Sequence, residues 1–385
     1  MKVTIIQQVV PHYRVAFFRK LHEQLSARQI AMQLLYGTIA RGPADAGQLL
    51  DDDWAKNVYT WKTRVLGINI VWQSVLSHLK ESDLVVIEQS NRLLVNYLLL
   101  LRRPFSRTKL AYWGHGRNMQ STRPRGMRES IKRLLLRNAD WWFAYTSMTH
   151  DYLLSRGYPE TNITLVNNAV ENRLAEDLRL LSLRDRATIL AELGLPEGRY
   201  ALFCGGLYQQ KRIDFLLQAA TLIRQRLPDF ELLVVGDGPD RCLIQQAMKQ
   251  HTWIHYAGHV VGESVARYWH VSKLLLMPGL VGLAIVDSFN AACPMVTTDF
   301  PYHSPEIAYL DSGVNGLMTE NTVESFAAGV LELFGNEEQL NILRRGCINS
   351  AAVYTVEKMV QNFAEGIEHC LRTEMSASDA HEVAG

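Results

Sequence analysis

A glycine turn between an apolar strand and a helix is the first place in this sequence where ligand chemistry is expected. The apolar run Lys273–Met277 is typical of a buried parallel strand, and Gly279 and Gly282 follow it in a turn. Glycines let a ligand approach the backbone. Residues 283–292 then have helical spacing of apolar residues around one acid, Asp287. A strand, a glycine turn and a helix form half of a nucleotide-binding crossover, in which phosphate collects at the helix N-terminus.

A second glycine turn carries basic residues. The apolar run Tyr200–Cys204 ends at Gly205-Gly206, and Lys211 and Arg212 follow before the next helical pattern. A surface lysine is the alternative interpretation of Lys211. The order of strand, glycines, basic residues and helix favours a ligand-facing side chain.

In the first half of the chain, His115 is the best candidate for a catalytic side chain. It lies between two glycines directly after the predicted strand Leu110–Trp113. Ligands bind at the carboxyl ends of such strands, and the glycines leave the imidazole exposed. The alternative is a histidine that caps the following helix. Tyr13 and Arg14 follow the first predicted strand, Val3–Val9, and are candidates for contacts to a second substrate.

A basic segment over residues 102–137 predicts contact with a polyanion. It contains eleven Lys or Arg residues and one acid, Glu129, with apolar residues interleaved at helical spacing. Such a pattern favours the surface of an anionic membrane, and the alternative is a solvated basic face. No nucleic-acid recognition motif accompanies the charge, so nucleic acid is not expected as a partner.

Composition bounds the remaining function classes. The 385 residues predict about two domains, and the net charge of +1 indicates no particular partner. Five widely spaced cysteines predict neither a disulfide framework nor a zinc site. Residues 51–53 form an Asp triplet that could hold a metal, but a solvated loop or helix cap is the better interpretation, and we expect no metal. The start of the chain reads as a strand, so we expect a cytoplasmic protein without a signal peptide or a membrane span.

Strand and helix patterns alternate along the whole chain, which predicts an α/β protein with two doubly wound domains. We place the first domain at 1–171, a charged, helix-prone linker at 172–196, and the second domain at 197–355. The apolar spacing of 356–372 predicts an amphipathic last helix, and residues 373–385 are expected to be disordered. Residues 37–64 have no clear pattern and are expected to be irregular. Asn321 with Glu324 predicts a capping box at the start of a helix.

Several motifs occur in a fixed order in the second half. They are Gly205 to Asp214 with Lys211, Gly236-Asp237-Gly238-Pro239 after a strand, Pro278 to Val296 around Asp287, Pro305-Glu306 and Asn315-Gly316-Leu317. In these motifs the chain resembles the family 4 glycosyltransferases, which are retaining enzymes of the GT-B fold. The resemblance is most specific over 200–318. It implies two Rossmann-like domains that face each other across a cleft, with the last helix crossing back onto the first domain.

The resemblance also implies roles for individual residues. Lys211 and Arg212 would stabilise the leaving diphosphate, so no cofactor or metal is required, and His115 would bond the donor sugar or the acceptor. Asp287 would hold the ribose hydroxyls. The implied donor site comprises Gly205, Gly206, Lys211, Arg212, Gly279, Leu280, Val281, Gly282, Leu283, Asp287 and Glu306. The implied acceptor contacts are Tyr13, Arg14 and Arg117.

Two glycines depart from the family pattern. Gly206 occupies the place of the family arginine, and Gly279 occupies the place of the first of two family glutamates. Asp287 replaces the second glutamate and keeps its charge. We therefore expect nucleotide recognition to be retained, and recognition of the sugar to depend on backbone amides around Leu280–Leu283 and on His115.

The function that this resemblance implies is the transfer of a hexosyl group from a nucleotide sugar, with retention, to a glycan or lipid-linked acceptor. Assembly of a bacterial surface polysaccharide, such as lipopolysaccharide or exopolysaccharide, is the expected setting, at the inner face of the plasma membrane. A nucleotide-sugar 2-epimerase of the same fold is an alternative. A GT-B binding protein that has lost catalysis is another, and Gly206 and Gly279 are the residues that favour it.

Overall fold

Alternating strands and helices build two separate parallel sheets, one in each of two units of the chain. The computed structural model of the protein describes residues 1–37, 50–65, 68–90, 92–116, 138–171 and 173–373. The first unit comprises Met1–Glu171 and Thr355–Gly385, and the second comprises Asn172–Tyr354.

The described part of the first unit contains a seven-stranded parallel sheet and an antiparallel hairpin. In chain order its strands are β1 (Lys2–Gln7), β2 (Ala31–Tyr36), β3 (Ala55–Asn57), β4 (Thr60–Val65), β5 (Ile68–Gln73), β6 (Leu84–Glu88), β7 (Lys109–Gly114), β8 (Trp141–Ala144) and β9 (Ile163–Leu165). The sheet order is β3-β2-β1-β6-β7-β8-β9, and β4 pairs with β5. Its helices before Glu171 are α1 (Val15–Ala27), α2 (Leu94–Arg102) and α3 (Ser147–Ser155).

The second unit contains, among its described residues, a six-stranded parallel sheet. The strands are β10 (Arg199–Cys204), β11 (Phe230–Val235), β12 (Ile254–Gly258), β13 (Ser272–Met277), β14 (Met295–Thr298) and β15 (Gly316–Thr319), in the order β12-β11-β10-β13-β14-β15. The helices are α4 (Leu174–Leu181), α5 (Arg186–Leu193), α6 (Ile213–Arg226), α7 (Arg241–Met248), α8 (Glu263–Val271), α9 (Ala284–Asn290), α10 (Val323–Gly335) and α11 (Glu337–Val353).

The central strands are buried on both faces, which is why they appear in the sequence as largely apolar runs. Every residue of β11 is buried, and so are the last four of β13. Helices cover both faces of a parallel sheet, so period-two alternation is not required of its strands.

The last helix, α12 (Val356–Arg372), belongs to the first unit, as predicted. Phe363 stacks on Phe143 of β8 with 4.2 Å between ring centroids. Gly366 lets the helix approach β9, because a Cβ there would lie 2.3 Å from Thr164 Oγ1. Lys109 Nζ donates to the carbonyl of Cys370 at 2.5 Å, in the last turn of the helix.

Residues 172–196, expected as a linker, are largely helical. Helices α4 and α5 occupy most of this segment, and Leu174, Leu181 and Ile189 are buried in the core of the second unit. Their apolar side chains supply the physical reason: a solvated linker would leave them in water.

Part of the segment that we expected to be irregular is regular. Residues 55–57 form β3, and Thr60–Val65 pairs residue by residue with Ile68–Gln73. The correction has a signal in the sequence, because Thr, Trp, Val and Ile are enriched on both sides of Gly67, as in a hairpin. The predicted tail lies, from residue 374 onward, outside the described residues.

Candidate functional site

The candidate donor site lies at the carboxyl edge of the second sheet, where the strand order reverses. From β10 the chain moves first to β11 and β12 on one side and then to β13 on the other. Ligands bind at such switch points in doubly wound sheets. The turns that follow β10 and β13 contain residues 205–212 and 278–283, so the fold brings both glycine turns of the sequence together.

Hydrogen bonds join these two turns directly. The amide of Leu280 donates to the carbonyl of Gln210 at 2.8 Å, and Lys211 Nζ donates to the carbonyl of Leu280 at 2.6 Å. Arg212 Nη1 donates to the carbonyl of Pro278 at 3.4 Å. The two turns therefore form one rigid structure, in which the basic residues of one turn hold the backbone of the other.

Lys211 is a buried cation of this site whose pKa is strongly shifted. Its side chain is 5% exposed, and Nζ lies 5.8 Å from the centre of the Tyr208 ring. Burial lowers the pKa of Lys211 to about 8, because a low-dielectric environment disfavours the charged form. A buried lysine gains more than an exposed one from an anionic ligand, which restores the interactions that it lost with water.

Arg212 is held in a left-handed backbone conformation between the turn and α6, with φ 58°. Its guanidinium lies 4.2 Å from the centre of the Phe215 ring and 5.3 Å from that of Phe300. It also donates to Oδ1 of Asn321. Partial burial lowers its pKa. Asn321 thus contacts the site. We predicted that Asn321 caps the following helix, but the N-cap residue is Thr322, whose side chain accepts from Ser325 N.

Gly279 corrects an expectation about the turn after β13. We expected the missing Cβ to make room for a ligand. Instead a Cβ at Gly279 would lie 2.3 Å from the Gln210 carbonyl oxygen and 2.7 Å from the carbonyl carbon of Lys211. Glycine is required here because the protein's own backbone fills the space. At Gly206 a Cβ would lie 2.8 Å from the Tyr208 ring, so an arginine in its place would displace that ring.

The backbone amides expected to bind the sugar are partly occupied. Leu280 N–H donates to Gln210 O, and Val281 N–H donates to Nδ1 of His303 at 3.0 Å. Among the described residues, no acceptor pairs with the amides of Gly282 and Leu283. At Gly282 the nearest atom to an added Cβ is Ser304 Oγ at 3.9 Å. Of the four backbone amides predicted to bind the donor sugar, those of Gly282 and Leu283 therefore remain as candidates.

The acidic candidates lie near the same edge. Burial raises the pKa of the Cys204 thiol to about 12, and the Asp287 carboxylate adds to the rise while Lys211 opposes it. Asp287 is half-buried on α9, and Glu306 is 4% exposed in a short 3₁₀ helix, Pro305–Tyr309. Gly205 follows β10 directly, and a Cβ added there would lie 4.0 Å from Cε of Lys211.

A cavity of about 280 Å³ in the first unit is lined by two of the predicted acceptor residues, Tyr13 and Arg14. It lies at the switch point between β1 and β6, where residues after β1 meet the end of β6. Tyr13 is 40% exposed and lines it. His115 is exposed at the end of β7, with its ring 4.3 Å from that of Tyr145. The full lining is Gln7, Gln8, Val9, Pro11, Tyr13, Arg14, Lys62, Val71, Glu88 and Tyr145.

Arg14 lines this cavity and also bonds the protein's own groups, so its predicted substrate contact stays a prediction. It is 6% exposed, and its guanidinium donates to the carbonyl of Ala169 at 3.3 Å and to Oδ1 of Asn168. The same group lies 5.5 Å from the Trp113 ring. Its donors hold the turn that ends the first part of this unit, so Tyr13 is the better candidate for a substrate contact.

Some predicted features fall partly or wholly outside what the structure describes. Arg117 and residues 117–137 of the basic segment lie outside the described residues. Within the described ranges, no group of three His, Cys, Asp or Glu side chains could hold a metal ion. Asp52 of the acidic triplet pairs with Arg19 at 3.4 Å. The part of the chain that the structure covers contains no helix long and apolar enough to cross a membrane.

His303 is the site residue that sequence reasoning missed. It is 5% exposed, and it accepts from the Val281 amide while its Nε2 lies 2.8 Å from the carbonyl of Thr298. The amide of Ser304 donates to the carbonyl of Val281 at 3.0 Å. The only signal in the sequence is a histidine two residues before Pro305, in the loop that precedes the Pro-Glu motif.

Comparison with known proteins agrees with this geometry. The family described as Glycosyl transferases group 1 matches residues 198–336. Over 173 residues the chain is 24% identical to the UDP-N-acetylglucosamine–peptide N-acetylglucosaminyltransferase GtfA subunit of Streptococcus parasanguinis, covering 42% of this chain and 34% of that protein. Over 173 residues it is 22% identical to the alpha-monoglucosyldiacylglycerol synthase of Acholeplasma laidlawii, covering 43% of this chain and 42% of that protein. These matches thus span less than half the length of either relative.

A solved structure covers nearly the whole chain. Anabaena Alr3699/HepE in complex with UDP superposes with a TM-score of 0.69 over 95% of this chain and 99% of that chain, at 14% identity. The predicted fold class is confirmed: the chain has the two Rossmann-like domains of the GT-B fold, and residues 198–336 match the family Glycosyl transferases group 1.

Proposed function

We propose that the protein is a retaining glycosyltransferase that moves a hexosyl group from a nucleoside diphosphate sugar to a glycan or lipid-linked acceptor. The observation that carries the proposal is Lys211, a buried lysine with a pKa of about 8 at the switch point of the second sheet. It lies within the stretch that matches the glycosyltransferase family. Perturbed lysines in such positions are candidates for binding sites.

The chemistry requires positive charge at the leaving group. Negative charge develops on the departing diphosphate, and a charge held in a low-dielectric site stabilises it strongly. Lys211 donates one N–H to the carbonyl of Leu280, which orients its ammonium group. We assign it the diphosphate, with Arg212 as the second cation. These two side chains supply the charge that a metal ion supplies elsewhere, so the reaction is proposed to be metal-independent.

The nucleotide is held by the acidic residues of the same edge. Asp287 is assigned to the ribose hydroxyls, because a half-buried carboxylate is a good acceptor for two hydroxyl donors. The amides of Gly282 and Leu283 are assigned to the donor sugar. Glu306 is assigned to the same donor site. We propose a uridine diphosphate sugar, because the matched GtfA subunit is named for UDP-N-acetylglucosamine and the HepE structure contains UDP.

The acceptor is assigned to the first unit. The cavity beside Tyr13 has aromatic and polar walls suited to a sugar, and Lys62 adds one basic side chain. His115 is assigned to a hydrogen bond with the transferred sugar or the acceptor hydroxyl. One matched relative is named for a peptide acceptor and the other for a glycolipid product. Between these we favour a lipid-linked glycan of a bacterial surface polysaccharide, for the reason that follows.

An exposed apolar stripe on the first unit favours a membrane-borne acceptor. On α2, Leu94 is 37% exposed and Leu101 is 71% exposed, two helical turns apart on one face. Phe105 follows with 92% exposure, and Arg102 and Arg107 are exposed beside it. Apolar side chains with adjacent cations fit the interface of an anionic bilayer. We therefore place the protein at the inner face of the plasma membrane, in peripheral contact.

The experiment is a screen of nucleoside diphosphate sugars by thermal unfolding, followed by product analysis. A ligand at 100 times its dissociation constant stabilises the native state by about 2.7 kcal/mol, which is readily measured. We expect uridine diphosphate sugars to raise the melting temperature, and one of them to be consumed only when an acceptor is present, with retention at the anomeric carbon by NMR. Conversion of a donor to its 2-epimer without acceptor would contradict transfer, and binding without turnover would contradict catalysis.

A further inference from the structure

His303 connects the candidate donor turn to the end of β14. Its Nδ1 lies 3.0 Å from the Val281 amide and its Nε2 lies 2.8 Å from the carbonyl of Thr298. An amide N–H only donates and a carbonyl only accepts, so Nδ1 is the bare nitrogen and Nε2 carries the proton. Both bonds can exist together only in the neutral imidazole.

The histidine and its neighbour bond both backbone groups of Val281. The Val281 amide donates to the ring, and its carbonyl accepts from Ser304 N at 3.0 Å. On the other side of the turn, Leu280 is held by Gln210 and Lys211. The turn is thus anchored at two successive residues, and the next two amides, of Gly282 and Leu283, have no acceptor among the described residues.

We propose that neutral His303 is a positioning residue that holds the turn 279–283 in the form that binds the donor. This inference rests on the proposed function, because it concerns the same donor site. His303 does not touch the reacting atoms. It acts by fixing Val281, so that the following amides are oriented before the ligand arrives and little order is lost on binding.

The groups around the ring favour its neutral form. Burial is the main cause that lowers the pKa of His303, and the positive charge of Lys211 adds to it. The hydrogen bond to Thr298 and the charge of Asp299 oppose the shift. A proton on Nδ1 would face the Val281 N–H and break that bond. When the turn opens, the exposed ring regains a pKa of about 6.5, so opening is favoured as the pH falls below that value.

Three substitutions separate the two hydrogen bonds. His303→Asn places Oδ1 where Nδ1 was and keeps an acceptor for Val281, whereas His303→Gln places an amide nitrogen near Nε2 and keeps the bond to Thr298. His303→Phe keeps the ring and loses both. UDP affinity is measured by calorimetry, together with the melting temperature and the donor KM and kcat.

We expect His303→Phe and His303→Gln to weaken UDP binding roughly 10- to 100-fold, since each leaves a buried amide unpaired. His303→Asn should stay within about threefold of the wild type. The donor KM should rise more than kcat falls. Wild-type affinity should also decline as the pH falls from 7 to 5, and His303→Asn should lack the part of that decline due to the ring.

The outcomes distinguish this inference from the proposed function. If the wild type binds no nucleotide of the panel, the proposed function fails. If the wild type binds UDP and folded His303→Phe binds it equally well, only the positioning role is overturned. If His303→Phe does not fold, equal UDP affinities of His303→Asn and His303→Gln would overturn the positioning role.

Discussion

At the scale of single residues, the identity of the basic and acidic candidates could be predicted, but their surroundings could not. Lys211 and Asp287 stand out in the sequence because each comes after a strand and glycines, and these two strands, β10 and β13, are neighbours in the sheet. The roles of Gly279 and Arg14 were not visible, because each depends on contacts with residues distant in the chain. Gly279 contacts the backbone at Gln210, and Arg14 contacts Asn168.

Replacing Lys211 should remove most of the activity. Lys211→Met keeps the length of the side chain and loses the charge, and Lys211→Ala loses both. We expect turnover to fall by about two orders of magnitude or more in either variant, the scale of losing one charge-stabilising donor. Steady-state kinetics with the donor found in the screen measures this. Lys249→Ala, at an exposed lysine of the same unit, is the matched control and should change nothing.

The pH dependence of UDP binding gives an independent measure of Lys211. Its pKa is lowered to about 8, and a bound diphosphate favours the protonated form. UDP affinity of the wild type should therefore change little between pH 7 and 8 and decline above pH 8, by up to about tenfold per pH unit. Calorimetry between pH 7 and 10 tests this. Lys211→Met should bind weakly at every pH, and a wild-type decline that persists in Lys211→Met would have another origin.

Restoring the family glutamate at Gly279 should not restore a function. A Cβ there would lie 2.3 Å from the Gln210 carbonyl oxygen, so Gly279→Ala and Gly279→Glu must push the two turns apart. We expect a loss of roughly 1–3 kcal/mol or more in the free energy of unfolding and no gain in activity. Gly282→Ala is the matched control for stability, since its Cβ position is 3.9 Å from the nearest atom. A gain in activity with Gly279→Glu would indicate that the glycine is a defect.

At the scale of elements, the buried parallel strands could be predicted from the sequence. Helices α4 and α5 and the hairpin of β4 and β5 could not. The predicted strand Lys273–Met277 differs from β13 by one residue, because a strand buried on both faces is a largely apolar run. Residues 172–196 were expected as a linker because the segment is charged and helix-prone. Only the burial of their apolar side chains against the second core identifies α4 and α5 as part of that unit. The hairpin of β4 and β5 was missed although its residues favour strands.

The packing of α12 can be tested by a single methyl group. Gly366→Ala would place a Cβ 2.3 Å from Thr164 Oγ1 and 2.7 Å from Phe143 Cε1. Although alanine favours a helix more than glycine does, we expect overpacking to dominate and to destabilise the first unit by roughly 1–3 kcal/mol. Gly335→Ala, at the end of α10 with no atom within 4 Å, is the control and should be neutral or slightly stabilising. Denaturant unfolding of both variants decides between the two effects.

At the scale of the whole molecule, charged and exposed apolar side chains together support the proposed contact with a membrane. The net charge is only +1, yet the segment 102–137 concentrates eleven basic residues. The described start of this segment adjoins an apolar stripe, Leu94, Leu101 and Phe105, that the sequence alone did not identify as exposed. Burying Leu101 and Phe105 in the bilayer interface would contribute about 25 cal/mol per Å² of apolar surface, and each nearby cation about 1 kcal/mol beside an anionic leaflet.

Vesicle binding should therefore need both the apolar stripe and the charge. The wild type should sediment with vesicles that contain anionic lipid, bind neutral vesicles much less, and be partly released by high salt, because salt screens the attraction. The double variant Leu101→Ser with Phe105→Ser should lose most binding at every salt concentration, whereas Arg102→Gln with Arg107→Gln should reduce only the salt-sensitive part. Leu183→Ser, at an 87% exposed leucine of the second unit, is the matched control and should bind as the wild type does. Equal binding of the wild type and the Leu101/Phe105 variant would show that the stripe does not meet lipid. Equal binding to neutral and anionic vesicles would contradict the role of the basic residues.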